Sequence, residues 1–129
     1  MRESGENYLE TILMLEDKNG TVRSIDIANE LSYSKPSISR AMGILKENGL
    51  ITMEKDGRIL LTKEGREKAN AIYERHLILT RFLSQVVGVD EQVAAQDACR
   101  IEHVISEESF RQIKEIVNSR QESQDRQEA

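Results

Sequence analysis

Apolar positions recur at helical spacing along most of this chain and switch once, near the middle, to two short apolar runs. Over residues 4–17, Tyr8, Ile12 and Leu15 fall on one stripe, widened by Leu9 and Leu13, which predicts an amphipathic helix with Ser4 available as N-cap. Lys18-Asn19-Gly20 ends it at a helix-stopping glycine. Residues 24–31 predict a second, short helix. After the tight connection Ser32-Tyr33-Ser34, a third runs from Lys35 to about Asn48. Ser34 can cap this third helix, and Pro36 sits in its first turn, where a missing N–H costs nothing. Its inward face is Ile38, Ala41, Met42 and Leu45. Its outward face is Ser37, Ser39, Arg40, Gly43 and Lys46, slim and free of bulky apolar groups. Gly49 closes the helix. The β-rich runs 50–55 and 58–62 then flank Asp56-Gly57, a strong hairpin signal. Helix, short turn, helix and hairpin spell a winged helix-turn-helix.

The second half returns to helical spacing. Ala69, Ile72, His76, Leu79, Leu83 and Val86 mark a long helix from Lys63 to about Val87. Gly88-Val89-Asp90 breaks it, and Asp90 can cap a helix over 91–105 packed through Ala94, Ala98, Ile101 and Ile105. Ser106 caps a last helix from Glu107 to about Val117, whose acidic first turn suits the N-terminal dipole. Residues 118–129 are almost wholly polar and are expected to be frayed or disordered. The fold class is therefore mainly α: a winged helix-turn-helix over 1–68, an all-helical domain over 69–118, and a tail over 119–129.

Composition narrows the function. With 129 residues, 32% charged and 4% aromatic, the chain can hold one compact domain or a small domain plus a shorter second one. No apolar run approaches the ~18 residues a membrane span needs, and a single cysteine rules out an internal disulfide and fits a reducing cytoplasm. The net charge of −5 argues against indiscriminate polyanion binding. Yet residues 20–68 carry nine Lys/Arg against seven Asp/Glu, the only basic balance in the chain. In that segment Arg40 can pair bidentately with guanine, and Ser37 and Ser39 can reach base edges or phosphate. Lys35, Lys46 and the wing-tip Arg58 suit phosphate contacts, and Arg23 and Ser34 complete the set. The alternative is a winged helix used for protein contacts. There is no internal repeat, no Gly-rich phosphate loop and no Ser/His/Asp constellation.

The densest chemistry lies in Asp97-Ala98-Cys99-Arg100-Ile101-Glu102-His103-Val104-Ile105-Ser106. On a continuous helix, at roughly 100° per residue, Cys99, Glu102 and His103 share one face. Thiolate, carboxylate and imidazole together can ligate one divalent ion. Three residues are too few to close a coordination sphere. By themselves they fit equally a buried cysteine beside a solvated Glu–His pair. Likewise His76, inside an apolar stripe, fits a packed core histidine. Asn7 and Glu10 share one side of the first helix with Met14.

Ala98-Cys99-Arg100-Ile101-Glu102-His103-Val104-Ile105-Ser106, with Gly5-Glu6-Asn7-Tyr8-Leu9-Glu10-Thr11-Ile12, the helix-turn-helix and Thr62-Lys63-Glu64-Gly65, resembles the metal-dependent repressors of the diphtheria-toxin-repressor and manganese-transport-regulator family. The resemblance covers about residues 4–117. It implies a metal-binding and dimerisation role for the helical domain, with ligands at Asn7, Glu10, His76, Cys99, Glu102 and His103. It implies Fe²⁺ or Mn²⁺ as corepressor, with Co²⁺, Zn²⁺ or Ni²⁺ as substitutes. It further implies a cytoplasmic homodimer on palindromic operators of metal-uptake genes, with no membrane, no organic substrate and no enzymatic reaction.

The ligand set is a hybrid. The manganese branch has an acidic residue at Asn7 and glutamate at Cys99, whereas the iron branch has cysteine at Cys99 but methionine at Asn7. Glu10 is a manganese-branch feature. Thr80 and Ala95 stand where the iron branch places a second carboxylate and histidine, so that form of second site is broken. The chain stops before an SH3-like third domain, as in the shorter manganese-type architecture. A winged-helix regulator not gated by metal is the rival reading.

Overall fold

The structure is a computed structural model that describes residues 3–128. It separates into two compact units, Met1–Ala71 and Ile72–Ala129.

The first unit opens with α1 (Glu3–Asn19), α2 (Ser24–Leu31) and α3 (Lys35–Glu47), followed by β1 (Ile51–Met53), β2 (Ile59–Leu61) and the start of α4 (Lys63–Arg81). Its core joins Leu9, Ile12 and Leu15 of α1 to Ile27 of α2, Ile38 and Met42 of α3, and Ile51 and Ile59 of the hairpin. These are the residues at helical or alternating spacing, so burial follows the period of each element. The Ser34 hydroxyl accepts from Ser37 N at 3.3 Å and caps α3, with Pro36 in the first turn. The two strands pair antiparallel, Ile51 opposite Leu61 and Met53 opposite Ile59. Gly57 takes φ +90° in the connecting turn, a conformation open to glycine. A bridge between Arg23 and Arg58 and the bond from Ile59 N to Val22 O (2.7 Å) add the segment before α2 to the hairpin's free edge.

Thr62 locks the wing onto α4. Its Oγ1 donates to Gly49 O at 2.7 Å and accepts from Gly65 N at 3.1 Å. A Cβ on Gly65 would stand 1.9 Å from Leu50 O, so only glycine lets α4 start against that backbone.

In the second unit α4 passes into a π-helical stretch, Phe82–Val87, then α5 (Glu91–Ile101) and α6 (Glu107–Glu128). Asp90 caps α5 through Gln92 N (3.1 Å), and Ser106 caps α6 through Ser109 N (3.1 Å). The unit's hydrophobic cluster is small: Ile78, Phe110 and Val117, with Phe82, Ile105 and Ile113 packed against them.

Four expectations change. The long fourth helix is α-helical only to Arg81, because its last residues shift to π-type bonding. The helix expected over 91–105 ends at Ile101, so Glu102 and His103 lie in the turn that follows. The helix expected to stop near Val117 continues to Glu128. Residues 118–126 are exposed throughout, and the extension holds by its backbone bonds and by pairs such as Gln121 Nε2 to Asp125 Oδ1 (3.2 Å). Finally, the outward face of α3 is not free of bulky apolar groups, since Ile44 is 52% exposed there.

Candidate metal centre and nucleic-acid interface

Within the second unit three of the anticipated ligands come together. Glu102, the C-cap of α5, is 1% exposed. Its Oε2 lies 3.0 Å from His76 Nδ1 on α4, and its Oε1 lies 3.4 Å from His103 Nε2. The second distance is longer than a well-formed N–H···O bond. Oε1 accepts no hydrogen bond among the described residues. His76 is held by its helix, whose Thr80 hydroxyl donates to His76 O at 2.7 Å. The His103 side chain is 1% exposed, placed by the turn rather than by a helix face.

A polar group out of water is costly unless it is hydrogen-bonded, and here Oε2 has the His76 imidazole at 3.0 Å while Oε1 has only the 3.4 Å contact with His103. Two imidazoles and a carboxylate are also a donor set suited to divalent first-row metals. The residues therefore fit a cation. The single-face placement of Cys99 with Glu102 and His103 does not hold. The early end of α5 moves His103 into the turn, and Cys99 stays on the helix, solvent-exposed.

Backbone bonds from Val104 N and Ile105 N to Ile101 O (3.0 and 2.9 Å) close the turn, and Arg75, on α4 beside His76, braces it. Arg75 Nη1 donates to Glu102 O and Ile105 O, each at 3.2 Å, and Nη2 pairs with Glu107 Oε1 at 2.8 Å. Its guanidinium carbon stands 5.4 Å from the centre of the Phe110 ring. Arg75 thus gives a partner to two carbonyls of the turn that follows α5.

In the first unit, Glu10 is a buried carboxylate at 7% exposure, one turn after the half-buried Asn7, whose backbone carbonyl accepts from Thr11 Oγ1 (2.8 Å).

On α3, Lys35, Ser37, Ser39, Arg40 and Lys46 are all exposed, as is the capping Ser34. Ser34 and Ser37 also share a hydroxyl–hydroxyl bond of 2.9 Å, so the two act as one polar patch at the helix start. In the wing, Arg58 Nε holds Asp56 Oδ2 at 2.8 Å, and Arg23 Nη1 donates to Asp56 O. The bond from Arg58 N and the guanidinium beside it hold the Asp56 carboxyl below its ordinary range. A cleft of about 630 Å³ runs beside α3, bounded by Ser4, Tyr8, Ser37, Arg40 and Ile44 among others. Tyr8 stacks edge-on against Tyr33 of the helix-turn-helix connection, ring centres 6.3 Å apart, and burial and that neighbour raise its phenol above the usual value.

Residues 1–59 match the family described as iron dependent repressor, N-terminal DNA binding domain. Residues 62–128 match iron dependent repressor, metal binding and dimerisation domain. The chain belongs to the iron-dependent repressor family. Among its curated relatives, the diphtheria toxin repressor of Corynebacterium diphtheriae is 31% identical over 115 residues, 89% of this chain and 51% of that protein. The iron-dependent repressor IdeR of Mycobacterium tuberculosis is 32% identical over 117 residues, 91% of this chain and 51% of that protein. A solved manganese-dependent transcriptional repressor in complex with manganese superposes with a TM-score of 0.81 at 25% identity, covering 88% of this chain and 52% of that one. The chain thus spans about half the length of the curated relatives it matches.

For this repressor-family chain, sequence reasoning missed Arg75 and the exposed Ile44. An arginine on a helix reads as solvated, and the only available signal was its place next to His76. Ile44 lies one turn beyond Arg40, on the same side of α3.

Proposed function

We propose that the chain is a metal-responsive transcriptional repressor that binds double-stranded DNA as a homodimer and carries out no reaction. The observation that carries this reading is Glu102: a carboxylate buried between two imidazoles, with Oε1 accepting no hydrogen bond among the described residues. A divalent ion, Fe²⁺ or Mn²⁺ first and Co²⁺, Zn²⁺ or Ni²⁺ as substitutes, would take this carboxylate and the imidazoles beside it as ligands. Glu102, His76 and His103 offer donors from the helical unit, and Glu10 and Asn7 offer oxygen donors from α1. Cys99, exposed one turn before Glu102, offers a soft outer donor.

The α1 donors suit a relay to DNA. Glu10 neighbours Leu9 and Ile12, which pack in the same core as Ile38 and Met42 of α3. A restraint on Glu10 is therefore felt at α3 without slack, since packed cores transmit displacement. Two recognition helices must stand about 34–36 Å apart to enter successive major-groove faces. Donors that hold α1 fixed raise the fraction of dimers at that spacing. On α3, Arg40, Ser37 and Ser39 read bases, while Lys35, Lys46, Ser34 and the wing residues Arg23 and Arg58 meet phosphate.

In this reading residues 1–68 engage DNA, 69–118 bind metal and pair the protomers, and 119–129 form a tail. The setting in this reading is the cytoplasm, where operators of metal-uptake genes would be met.

The test is a metal-by-metal titration of operator fragments, selected from random duplexes, at one fixed salt concentration because phosphate contacts make affinity salt-dependent. Ion at ~100 times its dissociation constant is expected to tighten DNA binding about a hundredfold when the two sites are fully coupled. Equal affinity in excess chelator overturns the reading in favour of a winged-helix regulator without metal gating.

A further inference from the structure

Arg75 has an unusual set of partners for a surface helix residue. One guanidinium meets two backbone carbonyls, Glu102 O and Ile105 O, at 3.2 Å each, the Glu107 carboxylate at 2.8 Å, and the face of Phe110. Its side chain is 19% exposed. All of these partners lie in or just after the turn that follows α5. That turn also carries Glu102 and His103. His76, the third member of the buried cluster, is the next residue after Arg75 on α4. Arg75 is therefore the direct link between the helix that carries His76 and the backbone that carries Glu102.

We infer that Arg75 is a positioning residue for the metal cluster: its guanidinium clamps the 102–107 turn to α4 and so fixes the His76–Glu102 geometry before any ion arrives. This rests on the reading of Glu102, His76 and His103 as metal ligands. The planar fork of arginine can bind two carbonyls and a carboxylate at fixed angles, whereas lysine offers a point charge on a flexible stem. Groups that orient metal ligands typically alter metal affinity about 10–100-fold when removed. Glu107, at 78% exposure, shares one arm of the clamp, but its loss leaves both carbonyl bonds in place.

The test uses the full chain with three substitutions, Arg75→Gln, Arg75→Lys and Glu107→Gln. Co²⁺ is the probe, read by its visible ligand-field band and by titration against a competing chelator. Thermal unfolding of the metal-free protein is followed in parallel. Arg75→Gln is expected to weaken Co²⁺ binding about 10–100-fold and to shift or broaden the band, Arg75→Lys to fall between it and wild type, and Glu107→Gln to stay near wild type. A lower unfolding temperature in Arg75→Gln with unchanged Co²⁺ affinity and band makes the residue merely structural and overturns the inference. If Arg75→Gln does not fold, Arg75→Lys decides by the same two readouts. Wild-type protein that fails to bind Co²⁺, or any of the divalent metals, overturns the ligand reading itself. Wild-type binding with indifferent Arg75 variants overturns only the clamp.

Discussion

The two units of this chain are held together by different means. The first has a continuous apolar core, from Leu9 and Ile12 through Ile38 and Met42 to Ile59 and Ala69, with Glu10 and Thr11 buried beside it. The second has a sparse cluster around Ile78, Phe110 and Val117, and it buries a carboxylate between two histidines. A core of the first kind specifies one shape unaided. A small core that buries a polar cluster depends on how fully those groups are partnered. The contrast teaches where regulation can enter. The candidate DNA-contacting residues stand on the unit with the continuous apolar core, and the buried cluster of His76, Glu102 and His103 stands on the other.

The largest effect that sharpens this contrast comes from the first unit. Ile38→Ala removes a fully buried side chain of α3 and is expected to cost about 2–5 kcal/mol of unfolding free energy. The loss should be the same in chelator as in metal. Urea titrations in both conditions check this, and a cost that depends on metal breaks the division of labour. Next in size is the second unit's response. Saturating ion, at ~100 times its dissociation constant, is expected to stabilise the wild type by about 2.7 kcal/mol. Glu102→Gln should abolish that gain while leaving the metal-free protein folded. Calorimetry with and without ion reads the difference, and an unchanged gain removes Glu102 from the ligands.

The same contrast explains what was legible in the sequence. In the first unit every signal is local. Ser34 and Pro36 start α3, Asp56-Gly57 turns the hairpin, and the inward positions Ile38, Met42 and Leu45 follow the helical period. In the second unit the deciding interactions join residues far apart in sequence. No glycine or proline marks the end of α5. The turn after Ile101 is closed by its own backbone bonds and braced by Arg75, 27 residues before Glu102, and a lone arginine does not announce its partners. The π-helical stretch was invisible because Leu79, Leu83 and Val86 fit an ordinary helical period, and the shift lies in backbone bonding alone. Residues 118–126 lacked an apolar face, and the helix they form rests on propensity, the Gln121–Asp125 pair and a bond from Arg120 Nη2 to Gln85 O (3.5 Å) rather than on burial. The face shared by Cys99, Glu102 and His103 failed for the same reason as the α5 boundary.

A smaller effect separates two arginines within the first unit. Arg40 projects from α3 and is expected, as Arg40→Ala, to relax preference at one base pair per half-site, at about 1–3 kcal/mol. Arg58 is tied to Asp56 in the wing. Arg58→Ala should weaken all sequences alike and flatten the salt dependence by about one unit. Binding-site selection for both variants, each with a salt series, compares them directly. Identical sequence profiles would show that the wing and the recognition helix do not divide the reading as proposed.

The smallest expected effect concerns Cys99, where the comparison between the units is at its finest. Glu102 and the His103 side chain are buried, while Cys99 one turn earlier is exposed. An exposed donor displaces less water-free cost than a buried one, so it should tune the choice of metal rather than create the site. A thiolate strengthens binding of Fe²⁺, Co²⁺ and Zn²⁺ more than of Mn²⁺. It must also shed its proton to ligate, so metal uptake should release a proton and weaken as pH falls. Cys99→Glu replaces this soft donor with a hard one. The expected outcome is a shift of activation toward Mn²⁺ relative to Co²⁺ of about tenfold, or ~1.4 kcal/mol, with overall DNA affinity under the preferred metal unchanged. With Co²⁺ bound, the wild type should show a sulfur-to-cobalt charge-transfer band in the near ultraviolet, and Cys99→Glu should lack it. A wild-type spectrum without that band, together with an unmoved metal ranking, takes Cys99 off the ligand list. The exposed thiol would then mark the outer limit of the cluster of Glu102, His103 and His76.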